Sequence, residues 1–397
     1  MAETFLHGVE VLEIDDGIRP ITTVRSSVIG MIGTAPDADA TAFPLNTPVL
    51  IAGNRTEAAK LDTVGDSAGT LPDAMDAIFD QCGAVVVVVR VDEGADETAT
   101  LTNVVGGVDA GTGQYQGVQA FLAAESILGY APKILCAPGF TSQRPATLAN
   151  PVVTELLGIA DQMRAVIIAD GPNTNDTDAQ TWASDFGSKR VYVVDPGVKV
   201  WDETTSAYID QPASARVAGM IAKSDNERGF WWSPSNREMY GIGGTTRAID
   251  FTLGDANSRA NLLNEQNIAT IINQNGYRLW GNRTLSADSK WAFLSVVRTA
   301  DMINESILVN HLWAVDRNIT KTYVEDVLEG VNAYLRNLKA KGAILGGECW
   351  ANEELNTADQ IAAGKVYFDF DFTPPYPAEH ITLRSHLVDD YIEEVFA

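Results

Sequence analysis

Ala84–Val91, AVVVVVRV, is apolar at every position except Arg90 and β-branched through its centre. A half-exposed strand would alternate apolar with polar residues. A continuous run of this length fits a strand covered on both faces, which parallel sheets require. It is far too short to cross a bilayer. Three later segments repeat the pattern, each closed by a Gly/Pro turn: PKILCAPG (Pro132–Gly139), RAVIIADGP (Arg164–Pro172) and RVYVVDPG (Arg190–Gly197). The spacing of apolar residues between them predicts helices over Leu71–Gln81, Tyr115–Leu128, Ala146–Met163 and Asp178–Phe186. Strands alternating with helices imply an α/β fold with a parallel or mixed sheet and helices on its faces.

Outward from this region the rhythm changes. VKVWDETTSAYIDQPAS, from Val198, reads as a hairpin or loop, and Asn226–Gly254 is rich in Gly, Trp and Ser, which predicts a domain boundary near residue 235. The second half reads as mostly helical: Asn261–Ile272, Asp288–Trp313, and a helix capped by Thr320 that runs to Lys341 and stops at Gly342. In the last, Val324, Val327, Leu328, Val331, Leu335 and Leu338 form the apolar stripe. Its exposed face changes sign, from Glu325, Asp326 and Glu329 to Arg336, Lys339 and Lys341. That pattern fits complementarity to the helix dipole. It also fits a basic tip offered to an acidic partner. Both ends of the chain read as strands. HGVEVLEID (His7–Asp15) alternates around Val9 and Val11, KVYFDFDF (Lys365–Phe372) alternates Phe with Asp, and HITLRSHLV sets Ile381, Leu383 and Leu387 on one face. Terminal strands need edges to pair with, in the same chain or in another copy.

The 397 residues hold 28 basic and 53 acidic side chains, a net charge of −25. A broad nucleic-acid surface is excluded, because neutralising phosphates takes a dense basic patch. The acidity maintains solubility, or regulates self-association through repulsion that counterions screen. Three cysteines, Cys82, Cys136 and Cys349, do not make a disulfide framework and fit a reducing compartment. MAETFLHGVE lacks the basic and apolar regions of a signal peptide, so synthesis in the cytoplasm is expected.

Catalytic motifs are weak. GDSAG (Gly65–Gly69) matches the nucleophile-elbow pattern, but no strand precedes it. His380 and His386 lack metal-site spacing, and GIGGTT (Gly241–Thr246) fails the dinucleotide fingerprint. No cofactor or metal is expected. Asp170 and Asp195 each end a predicted strand, where α/β enzymes hold reactive groups, although Asp before Gly or Pro is also ordinary turn chemistry. They support the alternative reading, a cytoplasmic α/β hydrolase or phosphotransfer enzyme. NQNGYRLWGNRTLSADSKWAF (Asn273–Phe293) turns at Asn275-Gly276 into a short strand. Tyr277 and Leu279 fall on one face and Arg278 and Trp280 on the other. Arg278 and Arg283 require carboxylates or carbonyls as partners.

NGYRLWGNRTLSADSKWAF, followed by RTADMINESILVNHLWAVDRNIT, resembles the signature region of contractile-tail sheath proteins. FLHGVEVLEIDDGIRPI with SSVIGMIGTAPDADATAFPLNTPVLI resembles the sheath N-terminus, and GKVYFDFDFTPPYPAEHITLR its C-terminal strands. The likeness covers essentially the whole chain and is greatest for the compact sheaths of R-type pyocins and temperate contractile-tailed phages. It implies a non-enzymatic structural subunit that stacks in hexameric rings around an inner tube and contracts to drive that tube through an envelope. Implied partners are other copies of the chain, the inner tail tube protein, and baseplate and tail-terminator or collar proteins. Nucleic acid and direct membrane insertion are not implied. The implied location is the tail of a virion or tailocin. The implied organisation is an N-terminal arm (1–20), an outer α/β domain (21–235), an α+β core domain (236–378) and a C-terminal arm (379–397). Arm residues would be Val9, Val11, Leu12, Ile14, Ile381, Leu383 and Leu387, exchanged as strands between neighbours. The tube-facing helix, about 320–341, would present Lys321, Arg336, Lys339 and Lys341. Tyr277, Arg278, Trp280, Gly281 and Arg283 would form the core signature.

Overall fold

The computed structural model describes residues 20–389, 391 and 392. Its main element is an eight-stranded sheet. In chain order the strands are β1 (Ile29–Thr34), β2 (Pro48–Ala52), β3 (Val85–Val91), β4 (Ile134–Cys136), β5 (Val166–Asp170) and β6 (Val191–Val194). A peripheral hairpin, β7 (Val198–Asp202) and β8 (Ala207–Gln211), follows, and then β9 (Ile268–Asn273) and β10 (Tyr277–Trp280) complete the sheet. The order is β10-β9-β6-β5-β4-β1-β3-β2. The six inner strands run parallel, and β10 and β2 close the two edges antiparallel.

The valine run is covered on both faces. Val86 and Val88 join one core with Ile29, Met31, Ile134 and Ile168, while Val87 and Val89 join the other with Ile32, Leu135 and Ile167. Helices α1 (Leu71–Phe79) and α5 (Ser214–Arg228) cover the first face. Helices α2 (Glu97–Val105), α3 (Pro151–Met163) and α4 (Asp176–Ser184) cover the second, where Trp182 is fully buried. The expected helix over Tyr115–Leu128 is instead a two-residue strand, a 3-10 turn over Gly117–Ala123 and a short helix, Ala124–Leu128.

Three differences from the sequence reading share a cause. Asn261–Ile272, expected as one helix, is a helix only over Arg259–Glu265. It breaks at Asn267, in the left-handed region at φ 60°, and continues as β9. A short apolar run such as IATII cannot tell strand from helix by periodicity, and the free edge of β6 decides it. Helix α5 was not predicted, because nearly every residue from Ser214 to Ala222 is buried and the segment shows no polar face. Finally, the sheet does not stop at residue 235, since β9 and β10 lie beyond it.

The rest of the chain packs as a smaller unit. Helix α6 (Leu294–Asn310) begins after a 3-10 turn at Ser289–Trp291, so the long helix starts later than expected. Helix α7 (Lys321–Ala340) is capped by Thr320, whose side chain accepts from the Tyr323 N–H, and Gly342 follows it at φ 78°. A two-stranded sheet, β11 (Gly346–Ala351) with β12 (Phe368–Thr373), lies against α7. Val331, Tyr334, Leu335 and Leu338 of α7 form a third core with Met302, Ile303 and Cys349, against which Phe368, Phe370 and Phe372 pack.

Candidate assembly surface

Helix α6 joins the two units through charge. Arg298 forms a bidentate pair with Asp225 of α5 at 2.6 and 2.5 Å, and both side chains are buried. Asp301 pairs with Arg190 beside β6, and Glu305 meets Lys133 at 3.4 Å and Arg164 at 3.0 Å. Residues 298, 301 and 305 lie on one helical face at i, i+3 and i+7. Burying charge is costly unless the partner is present, so this row fixes α6 on the sheet in one register. The first described residues run onto the same unit: Val24 N–H donates to Ser306 Oγ (3.0 Å), Thr22 N–H to Asn310 Oδ1 (3.2 Å), and Ile21 and Val24 pack on the third core.

The two edges of the small sheet differ. On β11 the Asn332 side chain brackets Cys349, donating to its carbonyl and accepting from its N–H, both at 2.9 Å. At Cys349 that edge is occupied by a side chain. Strand β12 pairs only with β11, so its outer edge has no strand partner among the described residues. An unpaired edge is a template for another chain.

Beyond β12 the chain is fastened twice and then released. Tyr376 meets Phe293 edge-on at 6.1 Å, and Arg283 holds Glu379 at 2.7 and 2.5 Å while lying over the Phe293 ring. From His380 to Asp389 every residue is exposed. HITLRSHLV was expected to be a strand, but it has no strand partner here: Ile381, Leu383 and Leu387 are 72%, 91% and 102% exposed. A β-strand is stable only with an edge to bond to, and none lies beside this segment among the described residues. Val9, Val11, Leu12 and Ile14 lie outside the described residues.

The signature residues cluster at the β9–β10 hairpin. The connection is three residues, Gln274–Gly276, and Asn275 (φ 52°) and Gly276 (φ 101°) both lie at positive φ, which Asn and Gly tolerate best. Tyr277 donates to the Gly243 carbonyl (2.8 Å), and Arg278 donates to the carbonyls of Gln274 (2.9 Å) and Asn236 (3.1 Å). Trp280 packs edge-on against Phe251. Gly281, at φ 138°, leaves no room for a side chain, since a Cβ there would lie 2.7 Å from Ala269 Cα. Of the basic residues on α7, Lys321 reaches Glu325 (3.6 Å) and Arg336 reaches Glu329 (3.8 Å), while Lys339 and Lys341 are exposed.

The two acids that prompted an enzymatic reading are occupied by structure. Asp170, at the end of β5, accepts from Ser214 N–H (2.8 Å) and Ser214 Oγ (2.5 Å) and so caps α5 across the sheet. Burial raises its pKa to about 6, and the bonds from Ser214 oppose the rise. Asp195 is fully buried, accepts from Asn173 N–H (2.8 Å) and pairs with Arg247. Burial pushes its pKa up and Arg247 pulls it back. Ser67 sits in a loop where Asp62 gathers the N–H groups of Val64, Gly65 and Ser67. The nucleophile elbow has no strand before it, only a 3-10 turn at Ala59–Leu61.

Sequence reasoning missed Asn332, Glu379 and the Arg298–Asp225 pair. Each depends on a partner 17 or more positions away, and the one signal was Arg298 within the apolar run of a predicted helix.

Family models match along most of the chain: the N-terminal region of domain III of the tail sheath protein Gp18 over residues 26–91, the phage tail sheath protein central domain over 113–285, and the phage tail sheath C-terminal domain over 286–387. The chain is 47% identical to a putative prophage major tail sheath protein of Pseudomonas aeruginosa, covering 99% of each. It is 38% identical to the tail sheath protein of Escherichia phage P2, covering 97% of this chain and 96% of that one. Its fold matches the helical sheath of the anti-feeding prophage in the contracted state with a TM-score of 0.72 at 21% identity, over 98% of this chain and all of the other. With these matches spanning both the sheet and the small unit, the chain belongs to the phage tail sheath family.

Proposed function

We propose that this protein is the sheath subunit of a contractile tail, stacking in hexameric rings around an inner tube and contracting to drive that tube through an envelope. The observation that carries the reading is the presence together of an open strand edge on β12 and an apolar tail that, among the described residues, has no strand partner. The tail of one copy adds to the small sheet of another, and the N-terminal arm makes a second such link. The sheet body and small unit, fixed to each other through α6, move as one piece while the arms stay connected. No chemistry is involved. The working division is a body around the large sheet and an assembly unit built from α6, α7, β11 and β12, together with the arms. Helix α7 presents Lys321, Arg336, Lys339 and Lys341 to the inner tube, and the signature residues Tyr277, Arg278, Trp280, Gly281 and Arg283 brace the base of the tail. Baseplate and terminator or collar proteins cap the two ends of the polymer, and the assembled product resides in a virion or tailocin tail. Negative-stain microscopy of the purified chain at high concentration and moderate salt is expected to show hollow tubes. A strictly monodisperse monomer would overturn the reading.

A further inference from the structure

Four basic residues, Lys223, Arg228, Arg237 and Arg278, line one pocket of about 230 Å³ between the end of α5 and β10, with Glu238 and Tyr240 beside them. In a chain with a net charge of −25, such a cluster is unexpected. Among the described residues, only Arg237 of these has a carboxylate partner, Glu227. Lys223 lies over the Tyr240 ring at 4.6 Å and Arg228 over the Trp232 ring at 5.3 Å, and the Arg278 guanidinium meets two carbonyls. Among the described residues no carboxylate forms an ion pair with these three.

A complementary acidic feature follows β3. Asp92, Glu93, Asp96 and Glu97 follow β3 in the loop DEGADE, and all four are exposed. The backbone of this loop is built: Asn103 donates to the Asp92 carbonyl (3.0 Å), the Gly94 N–H donates to Thr100 Oγ1 (3.0 Å), and Asp96 caps α2 through the Ala99 N–H (2.8 Å). Asp92, Glu93 and Glu97 have no side-chain partner among the described residues. The loop leaves the C-terminal end of β3, whereas Lys223 and Arg228 belong to the far end of α5, where Asp225 meets Arg298 and Arg298 donates to the Ser26 carbonyl ahead of β1. The length of β3, roughly 20 Å, lies between them within one chain. Opposite charges held at opposite ends of one layer cannot meet within a molecule. Between copies they meet head to tail, an arrangement that closes a ring or winds a helix.

We propose that this pocket receives the Asp92–Glu97 loop of a second copy, with Lys223, Arg228 and Arg278 supplying the cations. The contact rests on the sheath-assembly reading and adds to it a lateral link between bodies, separate from the strand-exchanging arms. The test uses the full chain, with polymer yield followed by sedimentation against protein and salt concentration. Lys223→Glu with Arg228→Glu, and separately Glu93→Lys with Glu97→Lys, are each expected to raise the critical concentration on the order of tenfold at physiological salt. The chain carrying all four substitutions is expected to recover most of that loss, since the pairing is restored with its sign exchanged. Unchanged thermal unfolding of both double variants separates a lost contact from a lost fold. Double variants that polymerise like the parent overturn the contact and leave the sheath reading standing, and so does a quadruple variant no better than the worse double. Stabilisation of the parent by inorganic phosphate that the pocket variant loses, with assembly unaltered, would assign the pocket to a free anion and overturn the proposal. A parent that forms no polymer overturns both readings.

Discussion

The large sheet and the C-terminal tail have opposite relations to their own chain. In the sheet, strands pair across eight positions, apolar side chains are covered on both faces, and the buried ions Arg298 and Asp225 have each other. In the tail, Ile381, Leu383 and Leu387 face solvent, and the last tie to the body among the described residues is the half-exposed pair Arg283–Glu379. Burying three such side chains is worth roughly 1.5–3 kcal/mol each. The body is therefore stabilised by what it already contacts, and the tail by what it has yet to contact. A subunit that must survive large relative movement has reason to separate these roles, because a fold that depended on its neighbours would unravel when they slide.

The strongest way to break this comparison is to remove the tail. Deleting Ile381–Ala397 is expected to abolish polymers in sedimentation while leaving the thermal unfolding of the monomer nearly unchanged. Polymers that form normally without it would falsify strand exchange at this end. The converse is a lesion in the body. Arg298→Ala leaves the Asp225 carboxylate buried and uncompensated, and is expected to cost about 3–5 kcal/mol in denaturant unfolding. A loss below about 1 kcal/mol would mean that water reaches the pair and that α6 is held by packing alone.

A smaller effect follows from Asp170. Its folded pKa, raised to about 6 by burial, exceeds its ordinary value, so the folded protein binds that proton more tightly than the unfolded chain. The group's contribution to stability is full at low pH and is lost as pH rises toward and through 6. Asp170→Asn removes the titration. The stability of the parent relative to this variant is therefore expected to fall by up to about 3 kcal/mol between pH 4 and 7. Parallel stability curves over that range would show that the bonds from Ser214 hold the ionised form just as well. The smallest effect on folding is expected at the tip of α7. Lys339→Glu with Lys341→Glu should leave unfolding and sheath-only polymers unaltered and weaken extended sheath on tubes. Equal co-sedimentation with tubes would mean that these charges only complement the helix dipole.

Much of the body was legible because the constraint is local. A strand buried on both faces must be apolar throughout, and AVVVVVRV, RAVIIADGP and RVYVVDPG are. The α7 helix was legible from its cap, stripe and stop, all within one segment, although Tyr334 joins the buried stripe while Val324 stays half-exposed. The signature hairpin was legible from Asn275-Gly276, and its arginines found carbonyls and a carboxylate as their chemistry demands. The candidate assembly surface was legible only in part. Phe–Asp alternation in β12 announced a strand, but nothing in it says which edge stays open. That depends on Asn332, which occupies the edge of β11 from a neighbouring helix.

The sequence by itself therefore determined the α/β class, the position of most strands and helices, and the family, because periodicity, turn chemistry and extended similarity are properties of contiguous residues. Tertiary structure alone decided that IATII becomes β9, that 214–228 is a buried helix, and that Asp170 caps it. It also decided that residues 380–389 have no strand partner among the described residues. Each of these outcomes turns on which group is left with an unfilled hydrogen bond or an uncovered face after the chain has closed, and that remainder is defined only once distant segments have met.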